Sequence, residues 1–349
     1  MAKVMTPKER ETALLNGEKP DRMPIWQING IVGAKYYGHD WKDVRLNTKL
    51  AAKITLDFAK ISGTDTMAHM ALEPNIMFMD LPGVDVKLPD DNYSNVMSHY
   101  YNDPEDIDKK PLYDPRNKKE AKYLYEGILD RTKLISEMAK DRLIQQFSWS
   151  VMTTAGFLRN VEALLMDVLL EEELAHKVMA KSAELVDGVI RVGLENGCGA
   201  AYLPDPTSSG SLISGDTLRD FVGAHLTRMI GSYKKEFDAP TYIHVCGETA
   251  PVAAEVAKLG GAVYSFDYMT DIKEIRSLMG DKMILAAHLN PMDVVWQGNP
   301  KLVIETSKKC IDESEGLPFI LATGCETPRD TPLANLQAMV TAVEKYATY

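Results

Sequence analysis

Residues 241–266, TYIHVCGETAPVAAEVAKLGGAVYSF, read as strand, helix, strand. Thr241–Cys246 is a short apolar, β-branched run that breaks at Gly247, Ala250–Leu259 is helical in pattern, and Ala262–Phe266 is a second short apolar run. Two strands joined through a helix form a βαβ unit, which imposes parallel pairing. The same rhythm extends in both directions. Strands are expected at Arg22–Ile28, Asp65–Met70, Leu143–Trp149, Ala200–Pro204, Thr241–Cys246, Ala262–Phe266, Met283–His288 and Pro318–Thr323, each followed by helix. Eight such units in one chain predict an α/β fold, a closed (β/α)8 TIM barrel spanning residues 1–349 as one domain. An open doubly wound sheet is the alternative, but no Gly-rich dinucleotide fingerprint follows the first strand.

Two additions frame the barrel. Thr6–Asn16 reads as an N-terminal helical extension with Thr6 as N-cap and Pro7 in the first helical position. Residues 74–115, after the second strand, are irregular and rich in Pro, Asp, Asn and Tyr. They predict an inserted segment folded over one end, as a lid or docking element. Elsewhere single helices are expected over Arg116–Lys140, Thr153–Met166 and Glu171–Glu195.

Composition bounds the function. The chain has 349 residues, 45% hydrophobic and 26% charged, an ordinary globular balance. Its net charge is −11 and it carries no basic run, which argues against nucleic acid and anionic membrane surfaces as partners. No apolar stretch approaches the ~18 residues of a membrane span. The charged N-terminus lacks an apolar signal core, so a cytoplasmic location is expected. Four cysteines are too few for a disulfide framework.

The chemistry-bearing residues fall at strand ends. In a strand, residues i and i+2 share a face, so His244 and Cys246 project together. Cys325 ends the eighth strand in LATGCE. C-terminal strand ends of a barrel converge on its active-site face, where these three can share one metal. Three protein ligands and a vacant fourth position are the pattern of a catalytic zinc, and no paired Cys-x2-Cys knuckle of a structural zinc occurs. Asp205, Asp267 and Asn290 end the fourth, sixth and seventh strands and are the candidate catalytic residues, with Asp267 able to fill the vacant position at rest. Gln27 and Asn29, ending the first strand, and Trp149, ending the third, are candidates for cofactor contact. Cys198, Cys310, His288 and His69 read as core residues, and the run Met67, Met70, Met77, Met79 as adaptable packing.

HVCG at a strand end, GCE downstream and RMPIW near the N-terminus make the chain resemble the uroporphyrinogen decarboxylase superfamily, in particular its corrinoid-dependent methyltransferase branch. That resemblance implies a barrel, zinc on His244, Cys246 and Cys325, and methyl transfer involving a corrinoid cobalt. The decarboxylases grip substrate carboxylates with an arginine-bearing loop after the first strand, whereas here no arginine lies between Arg22 and Arg45. No histidine lies in an Asp-x-His-x-x-Gly corrinoid loop, so the corrinoid is expected on a separate carrier protein. The aromatic and amide groups Trp26, Gln27, Asn29, Tyr36, Tyr37, Phe147 and Trp149 point to a methyl ether or aryl O-methyl donor as the small substrate. The alternatives are a methylcorrinoid:coenzyme M (thiol) methyltransferase, whose sulfonate finds only Arg329 and Lys35 nearby, a decarboxylase, or a binding module that has lost catalysis.

Overall fold

The computed structural model describes residues 4–67 and 73–349. The main sheet has seven parallel strands in the order β1-β9-β8-β7-β6-β5-β4. They are β1 (Ile25–Trp26), β4 (Gln145–Phe147), β5 (Ala200–Pro204), β6 (Thr241–Val245), β7 (Val263–Phe266), β8 (Ile284–Leu289) and β9 (Phe319–Thr323); β2 (Val86–Lys87) and β3 (Asn95–Val96) form a separate antiparallel hairpin. The gap between β1 and β4 is filled by residues 64–67. Asp65 and Thr66 donate their amides to Ile25 O at 2.8 and 3.1 Å, and Met67 bridges Ile144 in parallel. The ring closes as the (β/α)8 barrel. The expected second strand therefore begins in place; the rest of it, with His69, lies outside the described residues.

β1 is shorter than the apolar run around it because side chains replace the ladder. The amides of Gln27 and Ile28 donate to Thr64 Oγ1 and Thr323 Oγ1 at 3.1 and 3.0 Å instead of to neighbouring carbonyls. Trp26 points into the barrel, fully buried, with Tyr202 and Tyr242 edge-on at 5.4 and 5.9 Å between ring centroids. Aromatic rings thus fill an interior that branched aliphatics fill in many barrels.

The N-terminal face is shut by the helix Pro7–Leu15. Its Thr6–Glu9 capping box and Pro in the first turn are as the sequence indicates. Buried Arg10 donates to Asp65 Oδ1 at 2.6 Å and Asp21 Oδ1 at 2.7 Å. Its neighbour Glu11 is also buried and accepts from Thr66 Oγ1 at 2.7 Å and Tyr242 OH at 3.0 Å. Burial pushes the Glu11 carboxyl up to about 8, against those two hydrogen bonds. A carboxyl raised in the folded state stabilises fully below its unfolded value, near 4.5, and that contribution is lost as the pH rises through about 8. Thermal unfolding from pH 5 to pH 9 should accordingly show Glu11→Gln gaining on the parent protein as the pH rises. Parallel pH profiles for the two proteins are the contrary result.

Two helices differ from expectation. The single helix expected over Thr153–Met166 is two, Val151–Arg159 and Val161–Leu170, broken at Asn160 with φ 81°. Asn tolerates this left-handed region, and its side chain caps the second helix through the amides of Glu162 and Ala163. The helix expected over Arg116–Lys140 starts only at Lys122, passes through a wide turn at Tyr125–Leu129 and ends at Met138.

The segment 74–115 contains a 3-10 turn (Pro74–Asp80), the β2–β3 hairpin and the short helix Asp106–Lys109. It is tied to loops at the C-terminal mouth. Tyr93 OH donates to Glu326 Oε1 at 2.6 Å, Arg329 pairs with Asp91 at 2.9 Å, and Trp149 Nε1 donates to Asn75 Oδ1 at 2.8 Å. No helix among the described residues is long and apolar enough to cross a membrane.

Candidate metal centre at the barrel mouth

β6 pairs with β5 along Thr241–His244 and with β7 along Tyr242–Val245. Its inward positions are Tyr242 and His244, and the chain leaves the strand at Cys246 on the same side. Gly247 turns it away with φ +75°; a Cβ there would approach Ser209 Oγ to 2.8 Å. The other contributor is β9, which ends at Thr323. Gly324 donates to Leu289 O at 2.8 Å and permits a close approach, since a Cβ on it would lie 2.8 Å from Tyr268 N and 3.0 Å from Asp267 Oδ1. Cys325 follows.

These two exits bring one ligand atom each from His244, Cys246 and Cys325 within 4.8 Å of one another. His244 is buried and its Nδ1 is 2.9 Å from Ser265 Oγ, directly across the β6–β7 register, which leaves Nε2 as the ring nitrogen available on the side of the thiols. The hydrogen bond from Cys325 draws Cys246 below the usual thiol range, while the same bond and burial hold Cys325 well above it. Two thiols with a pre-oriented imidazole fit Zn2+. Bonds of 2.0–2.3 Å in a tetrahedron put ligand atoms roughly 3.5–4 Å apart, which this cluster reaches with small movements. In zinc sites the partner of the second histidine nitrogen fixes ring orientation. Ser265→Ala should weaken zinc binding by about 10–100-fold in chelator competition, and an unchanged affinity contradicts that role for the hydroxyl.

Asp267 is buried beside the cluster and both oxygens are engaged: Oδ2 accepts from Gly247 N at 2.9 Å and Oδ1 from Tyr268 N at 2.8 Å. As placed, it ties the turn carrying Cys246 to the loop against which Gly324 packs. Asp205 is fully enclosed at the start of the helix Val151–Arg159. It accepts from Thr153 N at 2.8 Å and Thr153 Oγ1 at 2.6 Å, and burial raises its carboxyl despite those bonds. Asn290 caps the turn Pro291–Trp296 through the amides of Met292 and Asp293. Gln27 spends its amide on Ser62 O and Leu336 O, at 3.1 and 3.0 Å, with Asn29 reaching its Oε1 at 3.4 Å. Trp149 packs on Phe147 and Phe157 and holds Asn75. The three metal-ligand candidates therefore meet. Of the other six, Asp267 is tied to the turn beside the cluster, Asp205, Asn290 and Trp149 make positioning contacts in their own loops, and Gln27, with Asn29 on it, turns away from the barrel interior that Trp26 faces.

Cys198 and Cys310 are buried in the core, as their helical context suggests, and His288 lies 3.7 Å from Cys310 Sγ. Sequence reasoning passed over Ser265, because only the strand register reveals that it faces His244.

The uroporphyrinogen decarboxylase (URO-D) family profile matches residues 6–346. The chain belongs to that family. Among its relatives, the Methanosarcina mazei protein named methylcobamide:CoM methyltransferase MtbA is 25% identical over 347 residues, covering 98% of each chain. A second M. mazei protein, named methylated-thiol--coenzyme M methyltransferase, is 23% identical over 364 residues, covering 99% of this chain and 91% of the relative. A solved structure described as a methyltransferase from M. mazei superposes with a TM-score of 0.84 at 22% identity, covering 98% of this chain and 99% of the other. This URO-D family member thus shares its barrel along the full described length.

Proposed function

We propose that this URO-D family member is a zinc-dependent methyltransferase that passes a methyl group from the corrinoid of a separate carrier protein to a small thiol. The observation that carries the reading is the His244–Cys246–Cys325 cluster at the mouth of the barrel. Relatives with nearly full mutual coverage bear the names of methylcobamide:CoM methyltransferases, which favours a thiol acceptor over the methyl ether donor expected from the aromatic strand ends. Zn2+ bound on this cluster lowers the pKa of a coordinated thiol, so that the nucleophile is a thiolate at neutral pH.

The chain's own residues do the rest. Ser265 orients His244; Asp267 locks the turn at Gly247; the aromatic interior formed by Trp26, Tyr202 and Phe147 excludes water from below. The segment 74–115, joined to the loop of Cys325 through Tyr93–Glu326, is the lid or docking element for the carrier. Carrier and thiol meet at the open side of the cluster, where the methyl moves by in-line displacement.

The tail of the thiol is a separate question. A groove of about 450 Å³ beside Cys325 is lined by Tyr93, Asp91, Trp296, Glu326, Arg329 and Asp330 among others. Arg329 is its cation, and Asp91 and Asp330 already lie against it. A sulfonate binding there has to displace Asp91. The test is methylcobalamin consumption, followed by its visible spectrum, with 2-mercaptoethanesulfonate and 2-mercaptoethanol as acceptors. In parallel, Co(I) cobalamin is offered aryl and alkyl methyl ethers. Demethylation of methylcobalamin by a thiol supports the reading. Methylcobalamin formed from an ether, with no thiol reaction, replaces it with the demethylase alternative.

A further inference from the structure

A buried phenol normally has a hydrogen-bond partner. Tyr242, on β6, follows that rule and donates to Glu11 at the N-terminal face. Its register partner on β5, Tyr202, does not. Tyr202 is 2% exposed, edge-on to Trp26 at 5.4 Å and 5.8 Å from Phe147, so its ring is fixed. It lies one inward position below Pro204, which pairs with His244. Trp26 pairs with Ala322 on β9, the strand that delivers Cys325. The ring is therefore the floor under the cluster. The charged neighbours of its hydroxyl are Cys325, Cys246 and Glu326, yet it hydrogen-bonds none of the described residues. The hydroxyl thus has no hydrogen-bond acceptor among the described residues, at the level of the barrel next to the two thiols.

We propose that Tyr202 is a substrate-contacting residue whose hydroxyl donates a hydrogen bond to the sulfur of the thiol held at the His244–Cys246–Cys325 cluster. This rests on the thiol-acceptor reading above and adds the residue that recognises the reacting atom. A hydrogen bond to the charged form of a group favours that form. The Tyr202 hydroxyl thus stabilises bound thiolate over thiol. The proton lost by the thiol goes to solvent, and the phenol keeps its own.

The test compares Tyr202→Phe with the parent zinc protein, without any methyl donor. Calorimetry with 2-mercaptoethanol and 2-mercaptoethanesulfonate between pH 6 and pH 9 gives the thiol Kd and the midpoint of proton release; zinc content is measured alongside. Tyr202→Phe should keep its zinc, bind thiol about tenfold more weakly and release the proton about one pH unit higher, the equivalent of one hydrogen bond to a charged group. Tyr242→Phe, which removes a phenol tied to Glu11 on the same interior, should bind thiol as the parent does; this separates a lost contact from a disturbed core. Thiol affinity and release midpoint unchanged in Tyr202→Phe overturn the proposal alone. A parent protein that binds neither thiol overturns the thiol-acceptor reading and the proposal with it.

Discussion

Cys246→Ala or Cys325→Ala should yield a folded protein that has lost its zinc and transfers methyl groups at background rate. Removing a residue that only supports a ligand typically costs ~10–100-fold in metal affinity or activity, and removing a ligand itself costs more. Neither thiol is needed by the core. Both are only half-buried, unlike Cys198 and Cys310; Cys246 directly follows the last residue of β6 and Cys325 lies two residues past the end of β9. Alanine at either position leaves the strand ladders of β6 and β9 intact, so melting of the metal-free variants should track the metal-free parent. The two variants should also resemble one another, because two remaining ligands do not make a catalytic site. Metal analysis and the methylcobalamin assay on the same preparation check this. Full zinc content with full activity in either variant removes that residue from the site.

Asp65→Ala should produce the largest loss of stability of any single change considered. The carboxylate is 1% exposed and receives four donors: Arg10 Nη1 at 2.6 Å, Arg22 Nη1 at 2.9 Å, Arg22 Nη2 at 3.1 Å and Ile25 N at 2.9 Å. Its own backbone amide joins residues 64–67 to β1. Alanine there leaves the Arg10 guanidinium buried with Asp21 as its remaining carboxylate and orphans the Ile25 amide. Breaking a buried pair from one side costs about 3–5 kcal/mol. In a chain of this size that corresponds to a fall of roughly 4–7 °C in Tm. Asp65→Asn keeps an acceptor for Ile25 and should fall between the two. The zinc content of the folded fraction should be unaffected, since Asp65 belongs to the opposite end of the barrel. A Tm within about 2 °C of the parent contradicts this account of ring closure.

The alternation of apolar runs and helical stretches is a property of local sequence, so the barrel was legible from it, down to the strand Ala200–Pro204. Where a residue's conformation depends on its own side chain reaching back to the main chain, the pattern misled: Asn160 looks like a tolerable helical position until it is seen to cap the next helix. The period-two rule placed His244 beside Cys246, and the position of Cys325 at another strand end supplied the third member of the cluster. The roles of Asp205 and Asn290 as helix and turn caps, and of Asp267 as a tie between loops, were hidden because they depend on which loops meet above the barrel. Ser265 was hidden for a further reason: it matters through its register partner His244, and register is not written in either strand alone.

The reading of the site rests on an open zinc that takes the acceptor sulfur directly. Zinc K-edge X-ray absorption on the purified protein, recorded with and without 2-mercaptoethanol, measures this. The expected spectrum without thiol is that of one nitrogen and two sulfurs at about 2.0 and 2.3 Å with one lighter atom, and thiol should raise the sulfur count to three. A protein that holds no zinc, or a sulfur count that stays at two with thiol in excess, contradicts it.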